Sequence, residues 1–405
     1  MPIYSSDEFY TVEIPTFSGS THFRVLKRYV NLVLIGSGAQ GCVCAAFDTK
    51  RKMHCAIKKL YRPFQNSLHA KRTYREIVLM KLICHKNIVG LLNIFINDVS
   101  REDFNDIYLV MHLMDASLVS VLDIELDHDR LSYLLYQLLC GLNHLHSAGV
   151  IHRDLKPSNI AVRKNCKLKI LDFGLARSQG NSYWLTPYVV TRYYRAPEVI
   201  LGLPYSSNVD VWSVGCIFFE MITGDVLFPG ENYYDQWEKI VRLLGSPTRY
   251  FLSRLQQTVR LYLEKRPHRQ GVPFKKLFPA SVFPDETGVG HELPCAGFTT
   301  RAELARDLLS RMLVIDPMFR ISVEDALKHP YVSGWYISSE VNSAPSKIYD
   351  SSSDDIDRSV ETWRQLIYDV VCDFNEESHS FYTDEDDLES DMADEEDIDT
   401  DKIDC

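Results

Sequence analysis

His152-Arg153-Asp154-Leu155-Lys156-Pro157-Ser158-Asn159, followed by Leu171-Asp172-Phe173-Gly174, is the stretch on which the reading of this chain turns. It sets two carboxylates, Asp154 and Asp172, 18 positions apart, with Lys156 and Asn159 between them. Phosphoryl transfer asks for such a set: an oxygen base to orient the attacking hydroxyl, hard oxygen ligands for a metal that bridges phosphates, and a cation to absorb charge. Asp154 fits as base, Asn159 and Asp172 as Mg2+ ligands, and Lys156 as the cation near the transferred group. A solvated polar loop is the bland alternative, and the upstream motifs weigh against it.

Upstream lies Ile35 and then Gly36-Ser37-Gly38-Ala39-Gln40-Gly41-Cys42-Val43. A glycine-rich turn lets backbone amides approach phosphate oxygens without interference from Cβ. Alone the pattern is weak, because a tight hairpin gives the same residues. A dinucleotide fold needs a helix directly after the glycines. Here Cys42-Val43-Cys44-Ala45-Ala46-Phe47 alternates like a strand, which points to a flap over nucleotide phosphates. Lys58 ends the apolar run Cys55-Ala56-Ile57, and Glu76 lies in the helical segment that follows. A lysine at a strand end is usually a strand meeting water. The functional reading is a grip on the α- and β-phosphates, oriented by the Glu76 carboxylate.

Working outward, 405 residues exceed one ordinary domain, and 45% hydrophobic with 24% charged residues is an average globular composition. The net charge of -11 is unevenly spread. From Asp373 onward there are 16 acidic residues against Lys402 alone, so residues 1–372 carry +4. No strongly basic stripe of a nucleic-acid binder stands out. The tail 373–405 is expected to be disordered, with a solubilising role, autoinhibition or recruitment of basic partners all open. Ten scattered cysteines without a CxxC pair read as reduced thiols, and Cys42-x-Cys44 lacks a second ligand pair for zinc. No leader or lipidation signal is visible at Met1-Pro2 or Cys405, and Leu131–His152 has the leucine period of a buried helix, so a soluble intracellular protein is expected.

Residues 1–28 show no clear period and read as an arm. Strands are expected at Leu32–Ile35, Cys55–Ile57 and Ile107–Met111, with a helix at His69–Ile83. From Leu131 helices dominate: Leu131–Ser147, Val209–Ile222, Tyr234–Leu244, Arg301–Met312 and Val323–Lys328. A later helix puts Trp363, Leu366, Ile367 and Val370 on one face and should dock back on the body.

In these motifs the chain resembles the eukaryotic protein kinase superfamily over residues 29–332. Ala196-Pro197-Glu198 and Asp210-Val211-Trp212-Ser213-Val214-Gly215 complete the pattern. The resemblance implies an α+β, bilobal protein kinase fold: a small β-rich N-lobe (29–111), a hinge (112–115) and a large helical C-lobe (116–332). Flanking these are the arm, a C-terminal extension with a docking helix (333–372) and the tail. It implies that ATP and Mg2+ are used, with the nucleotide held by residues 35–43, Lys58, Glu76, Met111 and Met114. It also implies a pairing of Glu198 with Arg320. Lys156 and Thr191 resemble the serine/threonine class.

Thr186-Pro187-Tyr188 resembles the dual-phosphorylation lip of mitogen-activated protein kinases, in the form of the c-Jun N-terminal, stress-activated branch. Arg62–Asn66, Glu125–His128 and Leu227–Gly230 with Asp235-Gln236 support that placement. The resemblance implies phosphate-binding arginines at Arg72, Arg75, Arg153 and Arg177 for Thr186, and at Arg192 and Arg195 for Tyr188. It further implies Ser/Thr-Pro substrates such as transcription factors, an upstream dual-specificity kinase, docking-peptide partners, scaffolds and phosphatases, and residence in cytosol and nucleus. Neither nucleic acid nor membrane is an expected partner.

Three departures stand out. Only Glu340 is acidic in Trp335–Asn342, where the family's docking groove is usually richer in carboxylates, although Asp123, Glu125, Asp127 and Asp129 lie on an adjacent loop. The stretch Asp285–Thr300 reads as a loop insertion, and the acidic tail is the third departure. A scaffold or pseudokinase is the rival from another class, yet Lys58, Asp154, Asn159 and Asp172 are all present.

Overall fold

The computed structural model describes residues 4–374 apart from 17–18, 39–40, 98–103, 179–191, 285–299, 344, 346, 351 and 353–355. The chain divides into two compact units, Met1–Met114 with Ser352–Cys405, and Asp115–Ser351. The boundary falls within the 112–115 span. The extension 333–372 is shared, its first part belonging to the larger unit and its helix to the smaller.

In the smaller unit, strands β1 (Phe9–Thr16) and β2 (Gly19–Leu26) form an antiparallel hairpin in unbroken register from Phe9↔Leu26 to Thr16↔Gly19. This corrects the reading of residues 1–28 as an arm. Ile14, Phe23, Val25 and Leu26 are buried, and they join a core with Tyr29, Phe95 and Tyr108. Those aromatics stack, with Phe95 and Tyr108 4.9 Å apart and Tyr29 and Phe95 5.8 Å apart.

Strands β3 (Tyr29–Gly38), β4 (Gly41–Asp48), β5 (Met53–Leu60), β6 (Leu91–Ile96) and β7 (Ile107–His112) form an antiparallel sheet in the order β3-β4-β5-β7-β6. Helix α1 (Ser67–Leu82) starts at Asn66, whose side chain accepts from the His69 N–H at 2.9 Å. The helix Val360–Cys372 packs beside α1, with the Tyr74 and Trp363 rings 5.3 Å apart. Its buried stripe is Trp363, Ile367 and Val371, so Val371 is inward, while Leu366 and Val370, which the sequence placed on that face, are only partly buried.

The larger unit is helical. α2 (His128–Ser147) is capped by Asp127 and buries Leu131, Leu134, Leu135, Leu138, Leu142 and Leu145. α3 (Pro197–Ile200) follows the Ala196-Pro197-Glu198 motif, and α4 (Asn208–Thr223) is buried along nearly its whole length. α5 (Tyr233–Leu244) is capped by Asn232. Helices Arg301–Met312 and Val323–Leu327 form as expected, whereas the helices Arg249–Ser253 and Gln257–Glu264 were not anticipated. Among the described residues no helix is long and apolar enough to cross a membrane.

Glu198 and Arg320 meet as the resemblance implied. Arg320 Nη1 and Nη2 donate to Glu198 Oε1 and Oε2 at 2.7 and 2.9 Å, both side chains fully buried. Further bonds to the Asn208 and Val314 carbonyls satisfy the guanidinium. Removing one partner leaves the other charge buried alone. Arg320→Ala should therefore lower unfolding stability by about 3–5 kcal/mol, read as a shift of the urea midpoint. A loss below about 1 kcal/mol, the scale of an exposed pair, would overturn this account.

Candidate active site

In the smaller unit the glycine-rich segment is the β3–β4 hairpin, with Gly36↔Val43, Ser37↔Cys42 and Gly38↔Gly41 paired. A strand follows the glycines, which excludes a dinucleotide-binding βαβ unit. A Cβ on Gly41 would run into the Lys59 carbonyl on β5, so glycine is required there by packing. Around Gly36 and Gly38 a Cβ would meet nothing within 4 Å. No neighbouring group requires those two glycines, and open backbone of this kind suits close approach by a phosphate. Ile35 is half-exposed, Cys42 is buried, and Ala39 and Gln40 lie outside the described residues.

Lys58 on β5 and Glu76 on α1 form an ion pair, Nζ to Oε1 2.7 Å, with only 14% and 8% of the side chains exposed. Sequence reasoning brought these two together correctly. Met111 on β7 is partly buried and pairs with Ala56, and Met114 is also partly buried. On α1, Arg72 is partly buried and Arg75 is 1% exposed.

In the larger unit the 152–159 loop is built around Asp154. Lys156 Nζ donates to Asp154 Oδ2 at 2.9 Å, and Asn159 Nδ2 donates to the Asp154 carbonyl at 2.9 Å and to Oδ2 at 3.1 Å. Burial pushes the Asp154 carboxyl above its usual range, opposed by the Lys156 ammonium. The His152 ring ties the two motifs together. Its Nε2 lies 3.0 Å from the Leu171 carbonyl, and its Nδ1 accepts from the Asp154 N–H at 3.3 Å. Leu171 N also donates to the Asn159 carbonyl at 2.8 Å, which fixes the start of the Asp172 turn. Asp172 itself has φ 66° and accepts from the Gly174 N–H at 3.0 Å.

Asp210 is the residue whose role sequence reasoning missed. Fully buried at the start of α4, it accepts from the N–H of His152 (2.9 Å) and of Arg153 (2.8 Å), and pairs with His146 Nε2 (3.0 Å). Burial works to raise its pKa, but the His146 bond and the neighbouring donors hold it below the carboxylate range. The motif containing Asp210 was legible; its partners, 57 and more positions upstream, were not.

Asn159 and Asp172 fit a divalent cation. Because Asn159 commits its NH2 to Asp154, its Oδ1 is turned elsewhere and accepts from none of the described residues. Two protein oxygens suit Mg2+, which keeps waters and substrate phosphates in its shell. Among the described residues no group of three or more His, Cys, Asp or Glu could hold a metal, so a cage built wholly from such side chains is not present there.

Of the remaining arginines, Arg153 lies 5.3 Å from the Tyr205 ring, and Arg177 pairs with Ile151 in a two-residue ladder. Arg192 donates to the Glu231 carbonyl at 2.6 Å. Arg195, 8% exposed, bonds the Tyr233 hydroxyl, and both guanidiniums face the Tyr233 ring at 5.9 and 5.4 Å. Burial lowers the Arg195 pKa, countered by the Asp154 charge. Gln236 donates to the Tyr193 carbonyl at 3.1 Å, so α5 holds the segment before Ala196 through two side chains, Tyr233 and Gln236. Sequence reasoning quoted Gln236 without this role. Thr186, Tyr188 and Thr191 lie outside the described residues.

Near the reduced acidic patch, Glu340 accepts from the Tyr136 hydroxyl at 3.2 Å. Asp129 pairs with Arg301 at 2.5 Å, and Asp127 caps α2. These carboxylates are partly committed within the unit.

Comparison with known proteins places this geometry. The protein kinase domain family matches residues 29–332. The chain is similar to a protein of Drosophila melanogaster described as stress-activated protein kinase JNK, with 57% identity over 373 residues, covering 92% of this chain and 97% of the relative. Members of this family use ATP and Mg2+. The chain belongs to the protein kinase family, as a serine/threonine kinase of the stress-activated, JNK type of mitogen-activated protein kinase.

Proposed function

We propose that this kinase transfers the γ-phosphoryl group of ATP to Ser/Thr-Pro sites of regulatory proteins such as transcription factors, and is switched on by phosphorylation of Thr186 and Tyr188. The observation that carries the catalytic part is the Asp154 carboxylate, held by Lys156 and Asn159 at the end of a loop anchored on Asp210.

Asp154 orients the acceptor hydroxyl and takes its proton. Lys156, fixed on the same carboxylate, offsets charge on the group in transit, and Thr191 is assigned with it to the serine/threonine class on the family resemblance. Asn159 and Asp172 would hold Mg2+, which supplies charge neutralisation across the phosphates. Lys58, oriented by Glu76, grips the α- and β-phosphates under the Gly36–Val43 turn, and Ile35, Met111 and Met114 contact the base.

Each lip phosphate brings about −1.5 to −2 charge and three acceptor oxygens, enough to order a loop where arginines converge. Arg72, Arg75, Arg153 and Arg177 receive the Thr186 phosphate, and Arg192 and Arg195 that of Tyr188. The family resemblance adds to this reading an upstream dual-specificity kinase, docking partners, scaffolds and phosphatases, and residence in cytosol and nucleus.

Three outcomes test this reading. Purified enzyme treated with a dual-specificity activator should label a Thr-Pro peptide and not its Thr-Ala counterpart. Asp154→Ala should abolish the labelling, and activity retained in that variant would sink the base assignment. Second, Thr186→Ala with Tyr188→Phe should leave the enzyme unresponsive to the activator. Full activation of the double variant would remove the switch.

The third is a pH profile. Asp154 acts ionised, so the rate falls as pH drops through its raised pKa. Lys156 opposes that rise; Lys156→Met should lower the rate and move the acidic limb to higher pH. A limb that stays in place would mean that Lys156 does not act on Asp154.

A further inference from the structure

Residues 239–276 contain ten Lys and Arg against Glu264 as the one acidic residue, a net +9 in a body whose remaining residues up to 372 sum to −5. The fold gathers part of this charge around a cavity of about 570 Å³. Trp237, Val241, Leu252 and Leu263 give the cavity an apolar lining, and Arg249, Arg266, His268 and Arg269 line it as well.

The segment after Glu264 is tied back to the end of α5. Ser246 N donates to the Arg269 carbonyl at 2.9 Å, and Arg269 N to Ser246 Oγ at 3.0 Å. Val272 N donates to the Leu243 carbonyl at 2.9 Å. Gly245 and Gly271 cross so closely that a Cβ on Gly245 would sit 2.6 Å from the Gly271 nitrogen. The basic wall of the cavity is thus fixed by backbone.

Acids balance part of it. Glu238 and Glu264 also line the cavity, Glu238 pairing with Arg269 at 3.3 Å and Glu264 approaching Arg260 at 3.7 Å, while Asp235 pairs with Lys239 at 3.1 Å and Asp316 with Arg254 at 2.5 Å. Arg242, Arg249, Lys265, Lys275 and Lys276 are exposed and reach no carboxylate among the described residues. Arg266 contacts the Tyr234 and Tyr262 hydroxyls instead. A face of this kind, with an apolar hollow and a surplus of cations, fits an acidic segment that carries apolar side chains.

We propose that its occupant is the chain's own segment 375–405. That segment has 15 acidic residues against Lys402, with Phe381, Tyr382, Leu388 and Met392 set among them. Thirty-one residues can span roughly 100 Å when extended. Tethering also presents it at an effective concentration on the order of millimolar, which a free acidic partner must exceed. This is independent of the catalytic reading above.

Carbodiimide cross-linking of the full chain tests it, since the reagent joins a carboxylate to a lysine amine in contact, with loss of water. Linked peptides between 375–405 and Lys265, Lys275 or Lys276 are expected. Their yield should fall several-fold as salt rises from about 0.05 M to about 0.5 M, where screening shortens to a few Å. Arg242→Glu with Arg249→Glu should reduce the yield while peptide phosphorylation stays unchanged, which shows that the variant is folded. Links absent, or spread over lysines outside this face such as Lys164 and Lys167, overturn the proposal. So does sedimentation of the full chain with phosphatidylserine vesicles that the double variant loses and tail neutralisation leaves as it was; the face would then belong to an anionic membrane.

Discussion

The buried carboxylate of Asp210 is the constraint on which the larger unit's chemistry rests. Burial by itself would favour its neutral form, and donors on three sides, from His146, His152 and Arg153, keep it ionised. The backbone it holds is strained: Arg153 has φ 69°, a conformation costing a β-carbon-bearing residue about 1–2 kcal/mol. A hydrogen bond to a charged acceptor contributes about 1.5–3 kcal/mol, enough to offset that cost. With Arg153 turned, Asp154 is delivered to Lys156 and Asn159, and the His152 ring carries the constraint on to Leu171.

The same helix serves as a post for other irregular segments. Ser213 donates to the Tyr194 carbonyl at 2.8 Å, and Glu220 accepts from the Tyr194 hydroxyl at 2.6 Å. Trp212 lies 5.3 Å from the Arg320 guanidinium that is paired with Glu198. In a helix otherwise apolar, Asp210, Ser213 and Glu220 each hold a stretch of chain that has no ladder of its own. Buried polar groups cost stability unless paired, so their retention here is explained by positioning.

The residues of the 152–159 loop, Asp172, Lys58 and Glu76 were legible because phosphoryl transfer dictates residue types at particular spacings, and Lys58–Glu76 and Glu198–Arg320 met accordingly. What escaped was structure whose signal is cooperative. The β1 alternation of Tyr10, Val12 and Ile14 against Thr11, Glu13 and Pro15 is present in the sequence, but short, and interrupted by Ser, Gly and Pro nearby. It becomes a strand only because Phe23, Val25 and Leu26 on β2 complete the aromatic core. β6 is buried at every position and so shows no period at all. Near Val360–Cys372 the periodicity was read, but the choice of Val371 over Leu366 and Val370 depends on where α1 lies, which sequence does not encode locally.

The Lys58–Glu76 pair shows how far along the chain a site constraint can originate. Glu76 points to β5 from a helix whose neighbour Tyr74 packs on Trp363, nearly three hundred positions later. The two helices run parallel: Ser67 Oγ donates to the Arg358 carbonyl at one end, 2.8 Å, and Lys81 Nζ to the Asp373 carbonyl at the other, 3.2 Å. Adjacent residues on a helix differ by about 100° in direction, so turning α1 by one position would break both the ion pair and the Trp363 contact. The lysine's orientation is therefore set by packing on the far side of α1. The Val360–Cys372 helix, although it follows the matched kinase domain, is part of what positions Glu76.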